Sequence, residues 1–266
     1  MLSAYVELIR MRFLTMLAYR MNYYSGILIY ALNIGSSYFI WKAMYAYSET
    51  GTNGGMTFAQ ITTYTVVGWM ARAFYFNNLD RDIANEIRDG SVAIQFIRPY
   101  NYVVVKIMQG LGEGLFRFLL FMIPGMLIVS LLFPVQLPAD PGLWAVFLVM
   151  LFFAFLINSQ LNIITGLLAF FLENNEGLMR FKRIMVDLFS GLILPISFFP
   201  GWAAGVLKLL PFQAITYLPG SVITGVVSGG AIWQALGVQV FWTALLLVPI
   251  ALLWRRARTR LFVQGG

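Results

Sequence analysis

The sequence predicts an all-α membrane protein with six transmembrane helices. Hydrophobic residues make up 60% of its 266 residues and charged residues only 11%, whereas a soluble domain carries about 25% charged residues. Apolar segments recur along the chain, and each membrane-spanning helix needs about 20 such residues. The length therefore holds a single transmembrane domain and no separate soluble catalytic domain.

Histidine and cysteine are both absent. Without histidine the chain lacks the usual general base and the commonest metal ligand, and without cysteine it lacks disulfides and thiol chemistry. An intramembrane enzyme would then need a pair of membrane-embedded aspartates, and the apolar segments contain no suitable pair. We therefore expect no catalytic residues and no metal site.

The first 22 residues predict an amphipathic helix at the membrane interface. Apolar residues recur there at helical spacing: Leu2, Val6, Ile9, Phe13 and Leu17. Arginines beside aromatic side chains are typical of helices that lie among lipid headgroups. The alternative interpretation is an irregular start to the first span.

The predicted spans cover residues 23–47, 58–76, 115–133, 143–172, 184–199 and 232–254. The apolar segment that contains the third span is too long for one crossing at 1.5 Å per residue. Residues 103–114 are therefore expected to form a helical lead-in near the cytosolic surface.

Prolines and glycines repeatedly interrupt residues 200–230, which follow the fifth predicted span. The apolar pieces between them are too short to cross a bilayer. We expect two short re-entrant helices there, on the extracytosolic side, because uncovered backbone is not tolerated in lipid.

Lysine and arginine predict the orientation of the chain. If the N-terminus is cytosolic, nearly all basic residues fall in cytosolic segments, and only Lys42 and Lys208 fall on the other side. Cytosolic segments of membrane proteins carry this excess of positive charge. We therefore expect both termini to be cytosolic, and the basic residues mark a membrane face rather than a nucleic-acid site.

The longest polar stretch, residues 77–102, predicts two short cytosolic helices. On the first, residues 79–89, an apolar ridge is formed by Leu79, Ile83 and Ile87. Charged residues cover its other faces: Asp80, Arg81, Asp82, Glu86, Arg88 and Asp89. The ridge fits either a partner's groove or the protein's own helices, and the residues alone leave both open.

The ends of these two helices have recognisable signals. Asn78 is expected to cap the first helix, and Gly90 is expected to end it. The second helix, residues 92–97, ends before Arg98-Pro99, because the residue before a proline avoids helical geometry.

Two segments of this stretch carry a resemblance to a known family. They are Glu86-Ile87-Arg88-Asp89-Gly90 and Phe96-Ile97-Arg98-Pro99-Tyr100. With the order of the predicted elements over nearly the whole chain, they resemble the membrane subunit of a type-2 ATP-binding-cassette (ABC) exporter. In that family this loop is the coupling helix, which docks on an ATPase subunit. The resemblance implies that docking involves Leu79, Asp80, Ile83, Glu86, Ile87, Arg88, Asp89 and Gly90.

The resemblance also implies the other parts of a transporter. Two ABC ATPase subunits would bind ATP and magnesium, and a second permease copy, identical or related, would complete the path through the bilayer. The location would be the cytoplasmic membrane of a prokaryote, and the substrate would be amphipathic, such as a drug, a peptide antibiotic or a lipid. This chain has no G-x-x-x-x-G-K-[ST] motif, so we expect no cofactor in it. Gly110 and Gly114 fit helix packing better than phosphate binding.

Polar residues within the apolar segments have two interpretations. The charged ones near the predicted cytosolic ends form either a structural network or a polar gate: Arg72, Glu113, Arg117 and Asp187. Asn158, Asn162 and Thr165 share one face of the fourth predicted span. They either form hydrogen bonds between helices or line the transport path.

A channel or a secondary transporter that does not use ATP is the alternative function. No carboxylate falls near the predicted bilayer midplane, where proton or sodium coupling would need it. No internal repeat is evident either. The sequence therefore favours the ATP-driven permease.

Overall fold

The computed structural model describes residues 2–18, 21–49, 51–97, 99–172 and 174–264, and this part is almost entirely helical. Its α-helices are α1 (Leu2–Ala18), α2 (Met21–Ala46), α3 (Phe58–Tyr75), α4 (Leu79–Arg88), α5 (Val92–Ile97), α6 (Tyr102–Arg117), α7 (Ile123–Leu132), α8 (Pro141–Leu167), α9 (Glu176–Phe189), α10 (Gly201–Lys208), α11 (Tyr217–Ile223), α12 (Ala231–Leu245) and α13 (Leu247–Gln264). The predicted all-α class is confirmed, with one small β-hairpin added. Arg98 and residues 19 and 20 of the predicted interfacial helix lie outside the described residues.

Three helices of the described part are long and apolar enough to cross a membrane. They are Tyr102–Leu132, Pro141–Phe170 and Ala231–Ala257. These helices fit a multi-pass membrane protein, and the count of six spans stays a prediction.

The hairpin leads directly into α3. Strands β1 (Thr52–Asn53) and β2 (Met56–Thr57) pair in antiparallel fashion, and the two glycines of the turn have φ angles of 56° and 75°, as a tight two-residue turn requires. Thr57 then caps α3 in a capping box. Its hydroxyl accepts from the Gln60 N–H at 3.3 Å, and the Gln60 side-chain oxygen accepts from the Thr57 N–H at 2.9 Å.

The helix α8 lies at the centre of the bundle. Its inward side chains are almost completely buried: Phe147, Met150, Leu151, Ala154 and Phe155. The helices α3, α4, α11, α12 and α13 pack around it. Burial of these large apolar side chains is the main stabilising contribution of the bundle.

The third predicted span has different bounds in the structure. Helix α6 continues through a π-helical turn, Phe118–Met122, into α7, so Tyr102–Leu132 is one helix of 31 residues. The predicted lead-in, residues 103–114, is thus helical and continuous with the predicted span, and the point at which the helix enters the membrane stays a prediction. The π turn accommodates Pro124, which lacks the N–H that a regular helix would use, and the Ile123 N–H donates to the Phe118 carbonyl instead.

The fifth predicted span, residues 184–199, is not one helix. Helix α9 ends at Phe189, and Gly191 has a φ of 87°, which a side chain would disfavour. The Tyr64 hydroxyl donates to the Gly191 carbonyl at 2.7 Å, and the Tyr217 N–H donates to the Ser190 carbonyl at 2.8 Å. These bonds satisfy the end of α9, and the chain leaves the helix there.

The sixth predicted span is also interrupted. Helix α12 ends at Leu245 and α13 begins at Leu247. Pro249 explains the break, because its ring clashes with the carbonyl four residues earlier. The segment expected to be a tail after Trp254 is part of α13, which continues to Gln264.

The helix α1 packs along α6. Phe13 and Leu17 of the predicted stripe contact a small core around Phe116 and Phe121, whereas Val6 is 59% exposed. The rings of Phe13 and Phe116 meet edge to face at 5.8 Å.

Three glycines let α6 approach neighbours on three sides. A Cβ at Gly110 would meet Leu79 of α4 at 3.2 Å, one at Gly112 would lie 2.4 Å from the Ile9 carbonyl of α1, and one at Gly114 would lie 2.8 Å from the Phe74 carbonyl of α3. The interpretation of Gly110 and Gly114 as packing residues is confirmed, and Gly112 adds a third contact.

Gly112→Ala is expected to destabilise the protein, because α1 must move away from α6 to admit the new methyl group. Overpacking of this kind costs about 1–3 kcal/mol, which is measurable as a lower unfolding temperature in detergent. Gly237→Ala is the matched control, since no atom lies within 4 Å of its Cβ position in α12, and it should be neutral or stabilising by up to about 1 kcal/mol. Equal unfolding temperatures for the two variants would contradict the close contact.

Candidate functional site

The apolar ridge of α4 is buried inside this protein. Leu79 is 2% exposed and Ile83 is 0% exposed, and with the half-buried Ile87 they pack against Ile163 and Leu167 of α8. Of the two alternatives that the sequence left open, the structure has the ridge packed on the protein's own helices. Of the predicted docking residues, Leu79, Asp80 and Ile83 have no exposed surface to offer in this structure.

The first turn of α4 is organised by Asn77 rather than by Asn78. The Asn78 side chain makes no capping hydrogen bond and instead accepts from the Arg183 guanidinium at 3.4 Å. The Asn77 side-chain oxygen accepts from the Leu79 N–H at 3.4 Å and from the Asn162 amide at 2.7 Å. The predicted cap is thus one residue earlier, because Asn77 is buried next to α8.

Three carboxylates of α4 each pair with a cation on a different helix. The pairs are Asp80 with Lys182 of α9, Asp82 with Arg12 of α1, and Glu86 with Lys106 of α6. Through these pairs, α4 is connected to α1, α6 and α9, which lie far apart in the sequence.

The pair between Asp80 and Lys182 is the most buried of the three. The Lys182 ammonium donates to Asp80 at 2.8 Å, and the two side chains are 12% and 1% exposed. The ammonium also contacts the Asn162 side-chain oxygen. Burial lowers the pKa of the Lys182 ammonium, and the Asp80 carboxylate opposes that shift.

Arg12 joins α4 to α6. Its guanidinium donates to Asp82 at 3.2 Å and to Glu113 at 3.0 Å. Burial raises the pKa of the Asp82 carboxyl, and Arg12 opposes that shift. Glu113 also pairs with Arg117 one turn later, and Arg117 donates to the Phe76 carbonyl at 2.8 Å.

Glu86 is held from two positions on α6. Lys106 forms an ion pair with one carboxylate oxygen, and the Tyr102 hydroxyl donates to the other at 2.7 Å. Lys106 is 3% exposed and Glu86 is half-buried, so the buried cation has a carboxylate partner, as a buried charge requires.

The four charged residues predicted as a network or gate form two separate ion pairs. Arg72 of α3 pairs with both oxygens of Asp187 of α9, and Glu113 pairs with Arg117. The pairs meet at the Phe76 ring, whose centroid lies 4.9 Å from the Arg72 guanidinium and 5.6 Å from that of Arg117. Such cation–π contacts are stabilising when they are shielded from water.

The cavity beside these residues is very small. It has a volume of about 10 Å³ and is lined by residues of α3, α8 and α9, including Arg72, Asn158 and Asp187. Such a volume holds about one water molecule. In this conformation the charged residues form a closed network.

The polar face of α8 binds the link between α3 and α4. The Asn158 amide donates to the Tyr75 carbonyl at 2.8 Å, and the Asn162 amide donates to the Asn77 carbonyl at 3.0 Å. The Thr165 hydroxyl donates to carbonyls of its own helix. All three side chains are buried, which favours the helix-bonding interpretation over the path-lining one.

The outward face of α4 is polar and mainly basic. Arg81, Asn85, Arg88 and Asp89 are exposed there, and Arg88 donates to the Asn85 side chain at 2.8 Å. At the end of the helix the Ser91 hydroxyl and the Ser91 N–H both donate to Asp89, and these hydrogen bonds lower the pKa of that carboxyl. Gly90 follows with a φ of 76°, so it ends the helix in a geometry that suits glycine.

Sequence reasoning missed the cations that hold α4. Arg12, Lys106 and Lys182 were identified only as cytosolic charges, and their partners lie 70, 20 and 102 positions away. The available signal was the excess of carboxylates on α4, since a helix that buries one face needs a cation for each buried acid.

The chain matches the family described as "ABC-2 family transporter protein" over residues 31–265. No curated protein matches the sequence. The match extends from α2 to the end of α13 and includes α4 with the helices that hold it, α1 excepted. This chain therefore belongs to the ABC-2 transporter family, as a multi-pass membrane component that associates with ABC ATPase partners and is not itself catalytic.

Proposed function

We propose that the chain is the permease subunit of an ABC exporter, and that ATP hydrolysis on a separate ATPase drives it through alternating access. The observation that supports this most is the construction of α4. Its apolar face and three carboxylates are held by the protein's own helices, while its basic face is exposed. When a bound ATPase displaces a short helix that is held in this way, the helices that hold it are displaced as well.

The docking surface in this proposal is the outward face of α4, with Arg81, Asn85 and Arg88 at its centre and Asp89 and Gly90 at its end. Glu86 and Ile87 contribute only their half-buried edges. Because the centre of the surface carries Arg81 and Arg88, the ATPase groups that contact this centre should be acidic. Leu79, Asp80 and Ile83 lie on the opposite, buried face of α4 and hold the docking surface in position.

The assembly would contain two ATPase subunits, which bind ATP and magnesium, and two permease copies, identical or related. We place it in the cytoplasmic membrane of a prokaryote with both termini cytosolic. The clustering of the ion pairs around α4 supports this orientation, because basic residues are favoured on the cytosolic side. Residues 200–230, with α10 and α11, would then lie on the extracytosolic side.

The proposed substrate is amphipathic, such as a drug, a peptide antibiotic or a lipid. A second cavity supports the apolar part of this proposal. It has a volume of about 130 Å³, lies between α2, α3 and α7, and is lined mainly by apolar groups, including Met70, Phe121 and Val129. Apolar cavities of similar volume stay dry and accept apolar molecules.

ATP-dependent uptake by inverted membrane vesicles tests the proposed function. Vesicles that contain this chain and an ABC ATPase that co-purifies with it should accumulate a fluorescent amphipathic dye when ATP is added. A Walker A lysine substitution in the ATPase should abolish uptake, and a protonophore should leave it intact. Uptake that needs no ATP, or that the protonophore abolishes, would favour the channel or secondary transporter instead.

Charge reversal on the outward face should weaken ATPase docking without unfolding the permease. The double variant Arg81→Glu/Arg88→Glu is expected to weaken binding about ten-fold or more, with a reduced dependence on salt, because two attractive contacts become repulsive. Binding is measured by titrating the purified ATPase onto the permease in nanodiscs. Lys42→Glu on exposed α2 is the control, and equal losses in both variants would contradict the assigned surface.

Removal of one partner from the Asp80–Lys182 pair should destabilise the protein. Lys182→Met leaves a carboxylate buried without its cation, which costs about 3–5 kcal/mol, whereas Asp80→Asn/Lys182→Met should recover most of the unfolding temperature. Neutralising the exposed Glu7–Arg10 pair should change little.

The recovered double variant also tests transmission through this pair. If α4 acts through Lys182, the double variant should bind the ATPase normally and yet transport several-fold less dye per ATP hydrolysed. Unchanged transport would show that the pair only stabilises the fold.

A further inference from the structure

A groove lies between the first turns of α6 and the start of α13. It has a volume of about 380 Å³ and is lined almost entirely by apolar groups. Its walls are Val103, Val104, Ile107, Leu247, Ile250 and Ala251. The stacked rings of Tyr102 and Trp254, 4.7 Å apart, hold α13 against α6. The groove is thus a fixed feature of the two helices.

Two polar residues, Arg255 and Asn101, also line the groove. Each is next in sequence to one of the two stacked rings, Trp254 and Tyr102. Arg255 is exposed, and no carboxylate in the described part of the chain lies within salt-bridge distance of it. The Asn101 side-chain oxygen accepts from the N–H groups of Val103 and Val104, and its NH2 group is a hydrogen-bond donor that a ligand can use. The two groups together offer a cation and a neutral donor to one anion.

We infer that this groove binds a glycerophospholipid with an anionic headgroup. Both walls belong to helices that are long and apolar enough to cross a membrane, so an acyl chain from the adjoining leaflet reaches the groove directly. The phosphate would bind Arg255 and Asn101, while the acyl chain would contact Val104, Ile107 and Ile250. Basic residues at the membrane surface attract anionic lipids, and Trp254 beside them is a typical interfacial residue.

The occupant would also support α4 from behind. Ile250 belongs to the apolar cluster that contains Leu79 and Ile83, and Ile107 packs against that cluster. An acyl chain bound against Ile107 and Ile250 would therefore pack on the opposite side of the apolar cluster that α4 contacts. Lipid binding should then raise the stability of the folded protein, because a ligand that binds only the folded state stabilises it.

Thermal unfolding of the purified full-length protein with added lipids tests this inference. Phosphatidylglycerol should raise the unfolding temperature more than phosphatidylcholine does, and inorganic phosphate should have no effect. Arg255→Gln should weaken the apparent affinity for phosphatidylglycerol about five-fold, as loss of one basic residue at a membrane surface predicts. Ala251→Leu should weaken the affinity for both lipids, because the added side chain fills the groove.

Two variants outside the groove serve as controls. Arg180→Gln removes an exposed arginine of α9, and Ala244→Leu enlarges an exposed alanine of α12; both should respond to the lipids as the unchanged protein does. Equal responses in all four variants would overturn the inference, as would an equal effect of inorganic phosphate. A change of oligomeric state in Ala251→Leu without a change in lipid response would also overturn it, since a second copy would then cover the groove. If Ala251→Leu does not fold, the comparison of Arg255→Gln with Arg180→Gln decides alone.

Discussion

The buried ion pair between Asp80 and Lys182 sets the constraint on which the arrangement of α4 depends. A carboxylate that is 1% exposed must keep its cation, so the first turn of α4 cannot leave α9 without a large cost in free energy. Once that turn is fixed, the spacing of the apolar residues directs Leu79 and Ile83 onto α8. The opposite face, with Arg81 and Arg88, is then necessarily exposed. The Asp80–Lys182 pair and the helical spacing of the apolar residues thereby determine which face of α4 is accessible to a partner.

The link between α3 and α4 extends the same constraint into the bundle. Tyr75 and Asn77 offer their carbonyls to amides of α8, and Phe76 lies among the guanidinium groups of Arg72, Arg117 and Arg183. Backbone groups in this link would otherwise be buried without hydrogen bonds, which is costly. Asn158 and Asn162, which could line a transport path on sequence grounds, therefore form hydrogen bonds between helices in this structure. A gate at this position would have to break these bonds as a set.

Local patterns in the sequence predicted some of these features and missed others for physical reasons. The ridge of α4 repeats every four residues, and the structure has a helix over Leu79–Arg88 where the pattern predicts one over 79–89. The pair of Glu113 and Arg117 was visible because its members are four positions apart. The partner of Asp80 was not, because 102 positions separate it from Lys182. Helix breaks were missed at Ser190 and Leu246 because hydropathy stays high across both, and only the glycine and the proline nearby signal them.

The helix α6 connects α4 with distant parts of the protein. Its glycines bring α4, α1 and α3 into contact with a single helix, and its first turns hold Glu86 through Lys106 and Tyr102. Close backbone contacts of this kind leave little room for independent movement, because packed interiors resist compression. A displacement of α4 must therefore carry α6 with it, and with α6 the cavity beside Phe121 in the π-helical turn. One continuous helix thus connects the contacts of α4 with the apolar cavity. The regular hydrogen bonding of this helix is interrupted at the π turn, Phe118–Met122, which is where it can bend most easily.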